Sequence, residues 1–324
     1  MKRIIYTFVF LAFAIGINGQ VKFAFGGGID NVSTKSSVER NISKLLTEIN
    51  NAQRANRTLN LTGINMTQTA KDGLKSLWEN LHFKCEWNSN VQNCLRDVTG
   101  YEVRGIPVQV IPLDDTYKGA LHKELTISFS KSGVINGVRM SLDNHAYQQL
   151  MKGGTTVSDI SQRREILKFV EDFRSYYDEK NLNAIENIFS ENALIITGRV
   201  VQSIGNSHME INDPRKKVIY TKQNKEQYIR NLGQVFKNNR YINVDFSDIQ
   251  LMRHPAKETF YRVRLRQKSN SQRYNGKLYS DDGYLFLFWD FTDPENPKIH
   301  VRSWTEYNPT LTENDMLSPI DFEF

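Results

Sequence analysis

Residues 163–198 read RREILKFVEDFRSYYDEKNLNAIENIFSENALIITG, and the order of patterns within them decides the fold class. Ile166, Leu167, Val170, Phe173 and Tyr177 recur at helical spacing and form one apolar stripe, with Ser161 or Asp159 as the N-cap. NLNAIENIF predicts a short second helix, and ALIITGRVV at 193–201 predicts a strand. A helix entering a strand through so short a piece belongs to an α+β unit whose helices pack on an antiparallel sheet.

Working outward, NKEQYIRNLGQVFKNN at 224–239 predicts a third helix with Tyr228, Leu232, Val235 and Phe236 inward. Four strands follow: 242–254, 259–269, 282–292 and 298–307. The third carries Tyr284, Phe286 and Phe288 on one face and Leu285, Leu287 and Trp289 on the other, which predicts a central strand buried on both sides. Upstream, LMKGGTTVSDIS at 150–161 marks a boundary. Before it lie predicted helices at 37–57 (Ser37 as N-cap) and 67–81. Strands follow at 101–113, 124–130 and 135–142, the last two joined through Lys131-Ser132-Gly133.

Both halves thus run from an amphipathic helix through short helices to antiparallel strands. The stripes of 38–60 and 163–185 correspond, GLKSLWENLHFKCEW aligns with IRNLGQVFKNNRYINV, and GVRMSL aligns with IHVRSW. Two tandem units follow, the first shorter or degenerate because it lacks a counterpart of ALIITGRVV. The predicted organisation is a signal peptide (1–19), a flexible Gly- and Ser-rich leader (20–36), an N-terminal α+β domain (37–150), a second domain (160–308) and a tail (309–324).

The signal peptide rests on MKRIIYTFVFLAFAIGINGQ: Lys2 and Arg3, then an apolar run from Ile4 to Ile17, then Asn18 and Gly19. That run is shorter than the ~20 residues a bilayer span needs. The expectation is an exported chain, periplasmic or secreted, with no membrane span after cleavage. The whole chain carries +6, of which Lys2 and Arg3 contribute two, leaving a mild +4 that is no nucleic-acid footprint. Cys85 and Cys94, in CEWNSNVQNC, read as one local disulfide in an oxidising compartment, in preference to two free thiols; a redox pair favours C-x-x-C, and zinc needs more ligands than His82 offers. Such a loop closure stabilises by about 2–3 kcal/mol. The N-x-S/T triplets between Asn31 and Thr67 match the glycosylation pattern by chance or for a eukaryotic secretory route.

Residues 162–305 resemble the nuclear transport factor 2-like (SnoaL-like) superfamily. The resemblance rests on YYDEKNLNAIENIFSENALIITG after a long helix and on the closing strands FLFWDF and IHVRSW. The whole chain is similar in layout to secreted bacterial proteins with that domain. The resemblance implies a cone in which a bent sheet wraps helices around a pocket. It also implies an exposed sheet face that can form a homodimer, and roles ranging from isomerase and dehydratase to binding module.

Enzymatic members place a carboxylate, or an Asp–His pair, in the pocket. Candidate pocket residues here are Tyr176, Tyr177, Tyr228, Asp245, Trp289 and His300, with none assigned as catalytic. Asp290, before FTDPENP, reads as a turn cap, and His254 as a loop histidine. In TFYRVRLRQKS, Arg262, Arg264 and Arg266 share one strand face, and Arg302 could extend the row. That face is a candidate for anions or a partner, against the plainer reading of a solvated row paired with Asp281, Asp282 and Glu306. No P-loop, dinucleotide fingerprint, G-x-S-x-G, H-E-x-x-H or metal spacing is present, so no cofactor or metal is expected. The leading expectation is an exported, non-enzymatic protein that binds a protein or small ligand of the cell envelope. The alternative is an isomerase- or SnoaL-type pocket enzyme acting on a small hydrophobic substrate.

Overall fold

The computed structural model describes residues 19–96, 100–142, 144–152, 157–202 and 216–308. The expected signal peptide, apart from Gly19, and the tail at 309–324 lie outside them. Among the described residues no helix is long and apolar enough to cross a membrane.

The first half contains β1 (Lys22–Gly27), α1 (Val32–Arg54), α2 (Gln68–Asn80), β2 (His82–Cys85), β3 (Asn88–Arg96), β4 (Gly100–Ile111), β5 (His122–Ser130) and β6 (Ile135–Met140). The second contains α3 (Asn144–Lys152), α4 (Ile160–Asp178), α5 (Leu182–Ile188), β7 (Phe189–Gln202), β8 (Lys216–Gln223), α6 (Lys225–Asn238), β9 (Asn239–Arg253), β10 (Phe260–Arg273), β11 (Leu278–Asp290) and β12 (Lys298–Glu306). The result is an α+β molecule with two curved, largely antiparallel sheets, ordered β1-β3-β4-β5-β6 and β8-β7-β12-β11-β10-β9. Each sheet is packed on its own helices.

Local chemistry explains where the elements start. Asp159 caps α4, accepting from Ser161 N at 2.6 Å and Gln162 N at 3.2 Å. Asn224 and Gln227 form a reciprocal capping box on α6. Asn31, not Ser37, caps α1. Gly133, at φ 79°, turns the β5–β6 hairpin in a conformation that side-chain-bearing residues rarely adopt. The α4 stripe is buried as its spacing requires, and β11 lies between β10 and β12. Leu285, Leu287 and Trp289 are fully buried, whereas Tyr284 and Phe286 on the opposite face are half-buried. Val235 points outward at 43% exposure, at the edge of the helix face it was assigned to.

The two sheets can be compared strand by strand. In the second unit, β9 to β12 form a meander, and β7 pairs in parallel with β12. In the first, β4 to β6 continue a meander begun by β2 and β3, and Met66 makes a single parallel bridge to Ile135 of β6. That bridge sits between α1 and α2, as β7 sits between α4 and α6.

Two expectations are corrected, and one stretch gains strands that its spacing does not show. Residues 20–36 are not a flexible leader: Val21, Phe23 and Phe25 alternate inward, and β1 pairs in parallel with β3 at Lys22↔Asn88 through Gly27↔Asn93. The Gly run at 26–28 masked this period-2 pattern. The stretch 82–96, left unassigned, forms two strands on one edge of β4. Finally, no disulfide joins Cys85 and Cys94, which are both buried. Cys85 pairs with Val108 and Cys94 with Val103 along β4. At about 3.3 Å per residue those register positions lie some 15 Å apart, well beyond the ~7 Å Cα limit for a bridge. The Cys85 sulfur faces Leu46 O and Asn50 Oδ1 of α1, and burial pushes its thiol up to about 12.

The two units meet along α4. The sheet face of the first unit that points away from α1 and α2 carries Glu102, Arg104 and Arg139, all buried or nearly so. Glu171 of α4, with no solvent exposure, accepts from Arg104 Nη1 at 2.8 Å and Nη2 at 2.5 Å, from Arg139 Nε at 3.2 Å and from Leu142 N at 2.8 Å. Arg139 also reaches Glu102 at 2.8 Å, and Arg104 stacks on Tyr147 of α3. Further along, Arg174 donates to Ser141 O and Met140 O, Asn80 donates to Asp178 O, and Lys123 bridges to Asp245 at 2.9 Å.

Candidate functional site

The inward row of β10 reads Tyr261, Val263, Leu265 and then Gln267, Ser269, Ser271. That of β11 reads Leu285, Leu287, Trp289 at one end and Gly283, Asp281, Tyr279 at the other. The antiparallel register sets the two polar ends side by side, with Ser269 opposite Asp281 and Ser271 opposite Tyr279. Here apolar filling stops and a cavity of about 220 Å³ opens. Its other walls are Tyr177 of α4, Thr197 and Gly198 of β7, Tyr228, Leu232 and Phe236 of α6, and Arg302 and Trp304 of β12. The Trp304 ring lies against Gly198 and Gly283, where a Cβ would overlap it.

The site is polar at one end and apolar at the other. The Tyr177 and Tyr228 hydroxyls share a hydrogen bond of 2.5 Å. Burial, then the neighbouring Tyr228 hydroxyl, raises Tyr177 well above the ordinary phenol range. Arg302 is 5% exposed, and its guanidinium lies 5.5 Å from the Tyr228 ring centre. Its Nε and Nη1, and Nε1 of Trp304, have no hydrogen-bond partner among the described residues. Tyr279 donates to Asp281 Oδ2 at 3.1 Å, and burial raises the Asp281 carboxyl above its usual range.

Of the candidate pocket and anion-face residues, Tyr177, Tyr228 and Arg302 line this cavity and the others do not. Tyr176 is rotated one position around α4 and lies near Asp172 and Glu179. Asp245 serves the seam through Lys123 and Asn243. Trp289 is core, packed against Phe169, Phe173 and Phe291. His300 is on the outer sheet face, stacked on Phe260 and 3.4 Å from Asp290. Asp290 caps its turn by accepting from Thr292 N at 2.8 Å, and His254 Nδ1 accepts from Ala256 N and Lys257 N.

Arg262, Arg264 and Arg266 do share the outer face of β10. Arg266 forks onto Asp282 at 2.7 and 2.8 Å, and Arg264 lies over the Tyr284 ring. Arg302 does not extend that row. It sits in register with Leu287, whose partner on β10 is Val263, and so faces inward. Asp281, expected among the surface carboxylates, also faces the cavity. The missed signal was the switch from apolar to polar within the inward rows of two paired strands, Leu265/Gln267 and Leu285/Gly283.

No protein-family model and no curated protein matches the chain. Solved structures do. A candidate aromatic-ring hydroxylase from Novosphingobium aromaticivorans aligns at 12% identity and a TM-score of 0.35, covering 47% of this chain and 92% of that one. A candidate scytalone dehydratase from the same organism aligns at 15% and 0.33, covering 45% and 88%. A candidate dehydratase of the nuclear transport factor 2-like family from Streptomyces avermitilis aligns at 10% and 0.30, covering 45% and 95%. Each of these structures covers about half of the chain, and at these identities the likeness is one of fold alone.

Proposed function

We propose that the protein is an exported, non-enzymatic binding protein that holds a small, partly apolar ligand in the cavity of its second unit. The observation that carries this reading is the hollow itself, which interrupts the core of the second unit and brings Tyr177, Tyr228, Asp281, Arg302 and Trp304 to one wall. A concave site with an apolar lining and a few convergent polar groups is the usual form of a small-molecule site. Leu232, Phe236 and the Trp304 ring supply the apolar wall that such a ligand would cover. The export part of the reading is supported by the two basic residues, apolar run and small residues of 1–19.

The neutral fluorescent probe N-phenyl-1-naphthylamine tests the cavity. It is expected to bind the protein, and Leu232→Trp, which fills the space, is expected to abolish that binding while the fold stays intact by circular dichroism. Equal binding by the variant would remove the reading. A second reading, a pocket enzyme of isomerase or dehydratase type, is favoured by Asp281, a carboxyl on the cavity wall that burial raises above its usual range. Deuterium uptake by enolisable cyclic ketones in heavy water, lost in Asp281→Asn, would support it. No uptake above buffer would count against it.

A further inference from the structure

We infer that the mouth of this cavity is the docking site of the chain's own C-terminal segment, 309–324, which a guest must displace; the displacement rests on the cavity being a ligand site. Two lining side chains mark where the hollow opens, since Val235 of α6 and Tyr279 of β11 are still 43% and 40% exposed. Tyr220 of β8, also exposed, lies across Gly198 from the Trp304 ring. Tyr274 and Leu278 stand exposed on the hairpin that carries Tyr279. Apolar side chains gathered in one exposed patch mark a surface that something covers.

β12 delivers the segment to that patch. It pairs with β11 only from Gly283↔Glu306 onward, whereas β11 itself begins at Leu278. One step further, Tyr307 N donates to Asp282 O at 3.0 Å, and the Tyr307 ring is held under the Arg266 guanidinium. The same register would set Pro309 opposite Ser280, but proline has no N–H to give, so the ladder has no next rung. The segment therefore leaves the sheet edge beside Tyr279, at the mouth. Its sequence, PTLTENDMLSPIDFEF, fits the place. Of its 16 residues six are Leu, Met, Ile or Phe, four are Asp or Glu, and none is Lys or Arg. In the closing IDFEF the two kinds alternate, so an extended strand turns Ile320, Phe322 and Phe324 to one side and Asp321 and Glu323 to the other. The rim is the complement. Beside its apolar side chains stand the exposed cations Arg199, Lys237, Arg273 and Lys277, and Arg199 is close enough to act on the Tyr279 hydroxyl.

Disulfide trapping in the full chain tests the docking without any ligand. Both native cysteines are buried, so Val235→Cys with Ser318→Cys supplies one accessible pair between the rim and the segment. Under mild oxidation at micromolar protein, the pair is expected to close within one chain. Adding Ile320→Ser, Phe322→Ser and Phe324→Ser, which leaves the tether unchanged, is expected to slow closure about 10-fold by lowering the effective concentration at the rim. Equal rates with and without the three serines would overturn the docking. Disulfide-linked dimers in place of closed monomers would assign the mouth to the segment of a second copy and overturn it equally. The consequence for guests is read with N-phenyl-1-naphthylamine. The three serines alone are expected to tighten its binding about 3- to 10-fold, which corresponds to a mouth occupied roughly 70–90% of the time. Unchanged affinity would overturn the displacement. Hydrophobic-dependent closure with no naphthylamine bound by either chain would keep the docking and remove the ligand-site reading, so the two can fail separately.

Discussion

Glu171 shows how one residue can belong to two cores. Its carboxylate has no exposure and is held by Arg104, Arg139 and the Leu142 amide, so removing it strands two buried cations. Glu171→Ala is expected to destabilise the fold by about 3–5 kcal/mol in urea titrations, a large share of the 5–15 kcal/mol typical of a domain. A loss under 1 kcal/mol would show the network to be marginal. Neighbouring carboxyls set a pH profile with two limbs. Burial alone would raise Glu102, but Arg139 and Arg104 outweigh it and hold it down to about 2. The unfolded chain therefore binds the extra proton between about 2 and the ordinary carboxylate range, and stability falls as pH drops through that window. Glu179 has the opposite sign. Burial, then Asp172 and Asp178, lifts it to about 8, so the folded state keeps a proton that the unfolded state has lost, and stability declines as pH rises from about 4.5 toward 8. Melting temperature is expected to peak on the acid side of neutral, and Glu179→Gln to flatten the upper limb. An unchanged upper limb in that variant would refute the assignment.

At the scale of elements, the close approach of β7, β11 and β12 depends on two glycines. Trp304 lies against Gly198 and Gly283, and a methyl group at either position must displace the indole or the strand. Gly198→Ala is expected to cost about 1–3 kcal/mol and to weaken ligand binding at the cavity, measured by melting and by probe titration. Unaltered binding would mean that the ring can move aside without reshaping the wall. Long periodic elements were legible from residues alone. The stripes of α1, α2, α4 and α6 and the alternation of β4, β5, β6, β9, β10 and β12 each name an inner face, because burial enforces one period over many residues. Short or interrupted elements were not. β1 hides behind Gly26–Gly28, and β2 and β3 are two pieces of one edge split at Glu86 and Trp87, so neither shows enough alternation to be read. The cavity was half legible. Tyr177 and Tyr228 stand on helix stripes, but the inward direction of Arg302 depends on register across three strands, which residue spacing within one strand cannot supply.

At the scale of the whole molecule, the seam was the least legible part, since Glu102, Arg104, Arg139 and Glu171 read as charges bound for water. Only the docking of α4 on the first sheet takes them out of it. That docking makes α4 common property: its Phe173 and Tyr177 side fills the second core, and its Glu171 and Arg174 side holds the first unit. The two units are therefore expected to unfold in a single calorimetric transition, whereas two resolved peaks would show them to be independent. The placement of the tryptophans has an optical consequence. Trp304 forms part of the cavity wall with its indole N–H unsatisfied, while Trp78 and Trp289 are sealed in the two cores and Trp87 sits near the surface. An arriving guest would alter the surroundings of one emitter and leave the other three as internal standards, so the chain carries its own fluorescent gauge of occupancy and needs no dye.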